Sequence, residues 1–132
     1  MAVAFVKKYL DLYHRLRGLS NIDQTDPDPC WLWTSTVRGR TGNYPKINVR
    51  VDGSHRQLAA HRVALVAQEI MDNGADWDLF WPLYLSYSMA GFEADHECNN
   101  PLCVNSCHLV WRTQEEHLEL TLQRRRERKV AC

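Results

Sequence analysis

The chain has 132 residues, 45% of them hydrophobic, and carries 16 basic and 16 acidic side chains. That length fits one domain with a modest core, and a formal net charge of zero excludes a generally adhesive polycation while leaving room for a local basic face. No run of about eighteen apolar residues occurs, so no membrane span is expected. Lys7 and Lys8 arrive too early for a signal-peptide core, and the expected compartment is cytoplasmic. Five cysteines, an odd number, fit a disulfide framework poorly and in a reducing compartment stay available to metals.

Residues 3 to 19 read as a helix, with Val3, Val6, Leu10, Tyr13, Leu16 and roughly Leu19 on one stripe. Gly18 and Ser20-Asn21 end it. The stripe is that of an amphipathic helix on a core; dimer or phosphate contacts are the competing use. Residues 20 to 29 form a linker whose prolines and aspartates leave little helix or strand propensity. The linker leads into Cys30-Trp31-Leu32-Trp33. A lone cysteine beside tryptophans is ordinarily a small buried apolar residue.

A first strand is expected within residues 31 to 36, followed by a polar, glycine-containing turn over residues 34 to 43. From Lys46 the alternation is strict. Ile47, Val49 and Val51 point one way; Lys46, Asn48 and Arg50 point the other. Asp52-Gly53 signals a hairpin into a strand from Ser54 to Leu58. These strands make a two- or three-stranded antiparallel sheet. Its polar face is either solvated or a β-ribbon for a DNA groove. Arg38, Arg40, Lys46, Arg50 and Arg56 fall within nineteen residues, with Asp52 the local acid. This bias favours DNA, with Asn48 as a base-reading candidate.

Residues 59 to 72 read as a second helix, with an apolar stripe of Val63, Val66, Ala67 and Ile70 and a stop at Asn73-Gly74. His61 opens it, either facing the core, capping, or touching a phosphate. Residues 75 to 94 are aromatic-rich and expected to be irregular, because Pro82 breaks a helix. They cover the core or form a dimer surface. Residues 113 to 123 read as a helix opened by a Thr113/Glu116 capping box. The basic run Arg124 to Lys129 is a solvated end or a track for a DNA backbone.

The densest chemistry lies between Asp95 and Leu109. Cys98, Cys103 and His108 are spaced C-x4-C-x4-H, which is most of a tetrahedral zinc site. Structural zinc is closed and four-coordinate, and the cluster is one donor short. Cys30 is therefore the expected fourth ligand. His96 precedes the first cysteine of the cluster by two residues, and His117 follows on the next helix.

The segments Asp95-His96-Glu97-Cys98, Asn100-Pro101-Leu102-Cys103-Val104-Asn105, His108-Leu109 and His117 resemble the His-Me finger (ββα-metal) nucleases, most closely the HNH and His-Cys box homing endonuclease group. Cys30-Trp31-Leu32-Trp33 and Ala60-His61-Arg62 resemble upstream elements of that group, and together these cover roughly half the chain. The resemblance implies an α+β fold: a small antiparallel sheet plus a ββα-metal motif stabilised by structural zinc and flanked by helices. It implies that His96 is the general base, Asn105 a hydrogen-bonding loop residue at the catalytic site and His117 a metal ligand on the helix. Asp95 matches a carboxylate that many HNH enzymes add to the metal. Ser106 departs from the group, which commonly has proline there, and Cys107 has no role in the pattern.

The chemistry is coherent without the family. Phosphodiester hydrolysis needs a base for an in-line water and positive charge at the leaving oxygen. A near-neutral histidine suits the first, and Mg2+ or Mn2+ on Asp95 and His117 suits the second, with Arg50 or Arg56 as added charge at the phosphate. Zinc in a four-ligand site has no open position for catalysis. The expected protein is thus a single nuclease domain over residues 1–132. It divides into a helix and linker (1–29), a DNA-binding sheet (30–60), a helix and aromatic segment (61–94), the catalytic core (95–123) and a basic tail (124–132). Its expected partner is double-stranded DNA, its likeness is to phage- or intron-encoded enzymes, and a palindromic target would require a homodimer. The alternative is a zinc-stabilised DNA-binding module without catalysis.

Overall fold

The computed structural model describes residues 2–35, 37–38, 44–51 and 53–131, with the side chains of 7–35, 44–51 and 53–127. The chain is α+β, with four helices and three small antiparallel sheets among the described residues. Helix α1 spans Ala2–Gly18. Its buried side chains are Leu12 and Leu16, with Tyr9 partly buried against the core. Leu10 and Leu19 lie 42% and 36% exposed, so the buried stripe is rotated from the one expected. The expected stripe also includes Val3 and Val6, whose side chains lie outside the described residues.

The linker contains a strand. β1 (Ser20–Ile22) pairs antiparallel with β2 (Trp31–Trp33), Ser20 opposite Trp33 and Ile22 opposite Trp31. Between them Asp23 accepts from the Thr25 amide and Asp26 from the Asp28 amide, two side-chain turns that order the aspartate-rich segment. Trp31–Trp33 therefore belongs to its own two-stranded sheet, which corrects its expected place as first strand of the main one. The main sheet is β3 (Val37–Arg38), β4 (Tyr44–Val51) and β5 (Ser54–Ala59), in that order. Along β4, Ile47, Val49 and Val51 are buried while Asn48 and Arg50 are exposed. Gly53, at φ +75°, supplies the positive φ of the β4–β5 turn.

Helix α2 (Ala60–Asp72) is the centre of the fold. Ala60, Val63 and Val66 have no exposed surface and Ile70 has 1%. It packs against α1, β4 and β5 before it and against a helix and two strands that follow it. Gly74 (φ +61°) turns the chain beyond its end, and the Ala75 amide bonds back to the Ile70 carbonyl. The aromatic segment is ordered rather than irregular. A 3-10 turn, Trp77–Leu79, leads into α3 (Phe80–Met89). Pro82 is its third residue, in the first turn, where its missing N–H breaks no helical bond. Phe80, 2% exposed, and Tyr84 face the core.

The remaining chain is a strand–loop–strand–helix unit. β6 (Phe92–His96) pairs antiparallel with β7 (Leu109–Thr113), His96 opposite Leu109. The loop between them carries the Cys/His cluster. It is pinned to β2: the Trp33 amide donates to Leu102 and the Val104 amide to Trp31. α4 (Gln114–Ala131) follows, the Thr113 hydroxyl accepting from the Glu116 amide as the capping box requires. The helix continues through the basic run. Among the described residues no helix is long and apolar enough to cross a membrane.

Candidate metal centre and adjoining cleft

Cys30, Cys98, Cys103 and His108 converge, with their ligand atoms all within 4.8 Å of one another. The Nδ1 atom of His108 lies 3.5 Å from the sulfurs of both Cys30 and Cys103. A tetrahedral zinc with ordinary Zn–S and Zn–N bonds has ligand–ligand edges of about 3.5 to 3.8 Å, so these distances fit. The local loop brings three donors together, and β2 brings the fourth through its backbone bonds to that loop. Burial pushes the Cys103 thiol up to about 12 and raises Cys30 as well. Buried, neighbouring thiols resist ionisation until a cation compensates them, and binding a metal there must release protons. The group can hold a metal ion such as zinc. On the far side of the imidazole, His108 Nε2 lies 2.9 Å from Asp28 Oδ1, an outer carboxylate that leaves Nδ1 as the coordinating atom.

Asn105 braces the same loop. Its amide donates to the Pro29 carbonyl at 2.8 Å, and its oxygen accepts from the Cys107 amide at 3.0 Å. It ties the segment before Cys30 to the turn before His108 and does not line the cleft described next.

Beside the cluster, a cavity of about 560 Å3 is lined by Tyr44, Asp95, His96, Asn99, His117 and Arg124, among others. A second, of about 350 Å3, shares Tyr44, His96 and His117 and adds Lys46, His61, Arg62 and Glu93. Together they form one cleft between β4, the start of α2, β6 and α4. His96, 8% exposed, ends β6, and its Nε2 lies 3.1 Å from the Cys103 carbonyl. A carbonyl only accepts, so Nε2 carries the proton and Nδ1 keeps its lone pair. Burial lowers the His96 pKa, against the opposing pull of the Cys103 carbonyl and Asp95. The ring is therefore held in its neutral form, with Nδ1 as its acceptor nitrogen.

Asp95, with 3% of its side chain exposed, is held by three cationic or potentially cationic groups. Arg112 Nε lies 2.9 Å from Oδ2, Arg124 Nη2 3.3 Å from Oδ2, and His117 Nδ1 3.2 Å from Oδ1. Burial would raise its carboxyl, but Arg124 and Arg112 outweigh it and hold the pKa below the ordinary value. His117 Nδ1 is buried without a properly aligned hydrogen bond, although Asp95 is near. An orphan imidazole nitrogen beside a carboxylate oxygen is a donor pair that a divalent cation would satisfy.

No family model matches the chain. No curated protein or solved structure matches it either.

The expected DNA-contact residues separate. Lys46 lines the cleft. Asn48 is exposed on the outer sheet face, and its carbonyl accepts from Arg15. Arg50 lines a different cavity of about 820 Å3 between α1, β4 and Trp77–Pro82, with no histidine or cysteine among the described residues of its wall. Arg56 sits opposite Val49, on the inner face, with its guanidinium over the Trp81 ring at 5.0 Å. That placement corrects its expected position among the polar-face residues, and neither Arg50 nor Arg56 lines the cleft. The Arg38 side chain and all of Arg40 lie outside the described residues.

The structure adds residues that the sequence left unassigned. His61, 7% exposed, lies 5.1 Å ring to ring from His96 and stacks on Tyr44 at 5.5 Å. Burial, then the neighbouring His96, lowers its pKa to about 3. Arg62 donates to the Phe92 carbonyl and to Ser88, fixing α2 against β6. On α4, His117, Thr121 and Arg124 face the cleft at helical spacing. Extending that spacing from His117 would have found Arg124. Nothing in the residue pattern marked Asp28.

Proposed function

We propose that this chain is a metal-dependent endonuclease that hydrolyses phosphodiester bonds of duplex DNA through a ββα-metal site, with zinc held by Cys30, Cys98, Cys103 and His108 as scaffold. The observation that carries this reading is the convergence of His96, Asp95 and His117, from the end of β6 and the face of α4, on one cleft beside the Cys/His cluster.

In this reading His96 Nδ1 takes a proton from a water molecule. The water oxygen bonds to phosphorus as the bond to the leaving 3′ oxygen breaks. The Cys103 carbonyl keeps Nε2 protonated and aims the ring. Asp95 and His117 would hold Mg2+ or Mn2+, which supplies positive charge to the phosphate and the leaving oxygen when bound. Lys46 and Arg62 line the cleft and would attract the backbone. The polar face of β4, with Lys46 and Asn48, supports DNA rather than a small phosphodiester as partner. Likeness to homing and phage enzymes makes site-specific cutting the natural setting, and a palindromic site would be met by a homodimer.

The test is cleavage of supercoiled plasmid with Mg2+, comparing the wild-type chain with His96→Ala. Cleavage by wild type and loss of roughly 100-fold or more in His96→Ala is the expected result. Equal cleavage by both removes His96 as base. Intact plasmid with retained DNA binding in both would establish the non-catalytic zinc-stabilised module instead.

A further inference from the structure

Two arginines reach Asp95, and they sit differently. Arg112, on β7, binds Asp95 at 2.9 Å and reaches Glu97 at 3.7 Å. It is absent from the wall of the cleft. Arg124, on α4, lies in that wall, two helical turns beyond His117, and spans both Asp95 oxygens at 3.4 and 3.3 Å. Those contacts are longer than a good charge-assisted bond, whereas the Arg112 contact is not. Arg124 thus occupies the space in front of the carboxylate, where a cation shared with His117 Nδ1 would sit. Arg124 Nη1 contacts Oδ1, the oxygen that faces His117 Nδ1, whereas Arg112 contacts Oδ2, so a divalent ion shared by Oδ1 and His117 would repel and displace Arg124 and leave Arg112 in place. Arg124 is on a long side chain at the open side of the cleft, so it is the partner that can move.

We propose that Arg124 is a two-position residue. It neutralises Asp95 while no divalent cation is bound, and it contacts the scissile phosphate once a cation takes its place on Asp95 and His117. Its second half rests on the nuclease reading, and its first half on the Asp95 and His117 cation site within that reading. The cleft then stays electrically balanced without metal, and metal binding frees a planar donor for phosphate at the place where the chain is cut. Arg124 is the cleft-facing cation that Arg50 and Arg56 are not. Arg112 is a positioning residue that keeps Asp95 turned toward the cleft.

The experiment uses the full zinc-loaded chain and its Arg124→Ala, Arg124→Lys and Arg112→Gln variants. Mn2+ affinity is measured by electron paramagnetic resonance of the free ion, and plasmid cleavage is measured at saturating Mg2+. Circular dichroism and zinc content confirm the fold of each. Arg124→Ala should bind Mn2+ about tenfold more tightly, because a competing charge is gone, yet cleave roughly 100-fold more slowly. Arg124→Lys should stay near wild type for Mn2+ and fall between for cleavage. Arg112→Gln, which leaves the Oδ1 side of Asp95 as it is, should change Mn2+ affinity less than Arg124→Ala does. A merely structural Arg124 would give weaker Mn2+ binding together with slower cleavage, and that result overturns the proposal. Unchanged Mn2+ affinity in a folded Arg124→Ala overturns the exchange on Asp95, and unchanged cleavage overturns the phosphate contact. If wild type cuts no DNA while Arg124→Ala still gains Mn2+ affinity, the exchange stands and the phosphate contact falls with the nuclease reading.

Discussion

The carboxylate behind His108 gives a prediction whose size can be worked out. Asp28 Oδ1 lies 2.9 Å from His108 Nε2, while Nδ1 faces the two nearest sulfurs. Removing such an outer partner lowers metal affinity by about 10- to 100-fold. The Asp28 side chain is 72% exposed, so water competes for the imidazole N–H and the loss belongs at the low end, about tenfold. Tenfold is about 1.4 kcal/mol of binding. Because the metal binds the folded chain, the same amount leaves the folding free energy at fixed free zinc, roughly 3 to 5 °C in melting temperature. Asp28→Ala should show both losses. Asp28→Asn, which keeps an oxygen acceptor, should recover most of each. Competition with a chromophoric chelator at pH 7.5 measures the affinity, and a thermal scan in a zinc buffer measures the stability. Wild-type affinity in Asp28→Ala would refute the argument, as would a drop in melting temperature with no change in zinc affinity.

Two further outcomes follow from the same structure. Cys98→Ser and Cys103→Ser should lose zinc and unfold, seen as loss of helical circular dichroism with metal content, while Cys107→Ser, an exposed cysteine outside the cluster, should keep both. His61, held to about 3 by burial, is neutral in the folded chain, whereas unfolded histidine titrates near 6.5. Its contribution is fully present above pH 6.5 and is lost as pH falls from 6.5 toward 3, with a slope of up to about 1.4 kcal/mol per pH unit. Urea unfolding at pH 6.5, 5.5 and 4.5 should therefore show a shallower acid loss for His61→Asn than for wild type. Zinc-ligand protonation is common to both and cancels in the difference, so parallel slopes would refute the buried-neutral assignment.

What could be read from the residues alone follows the range of the interactions. Cys98, Cys103 and His108 are close in sequence, and their convergence needed only one loop. The alternation of β4 and the Thr113/Glu116 cap are equally local. Cys30 was reached through the coordination rule rather than through spacing, and the structure places it with the other three. Misreadings arose where a distant partner decided the outcome. Ser20–Ile22 has weak strand propensity and is a strand because Trp31–Trp33 lies beside it. Pro82 reads as a breaker until the first turn of α3 is located around it. The α1 stripe turned because α2 sets which face is covered, burying Leu12 in place of Leu10. Arg56 left the polar face because the β4–β5 register sets it opposite Val49. The cleft residues Tyr44, His61 and Arg124 come from three separate elements, and no local pattern joins them.

Cys103 takes part in both halves of the site: its sulfur belongs to the cluster and its carbonyl holds His96. The cluster joins Cys30 to His108 across a sequence separation of 78 residues. The imidazole of His96 is therefore aimed only once segments distant in sequence have come together. One backbone carbonyl thus ties the orientation of His96 to a cluster closed from two distant segments.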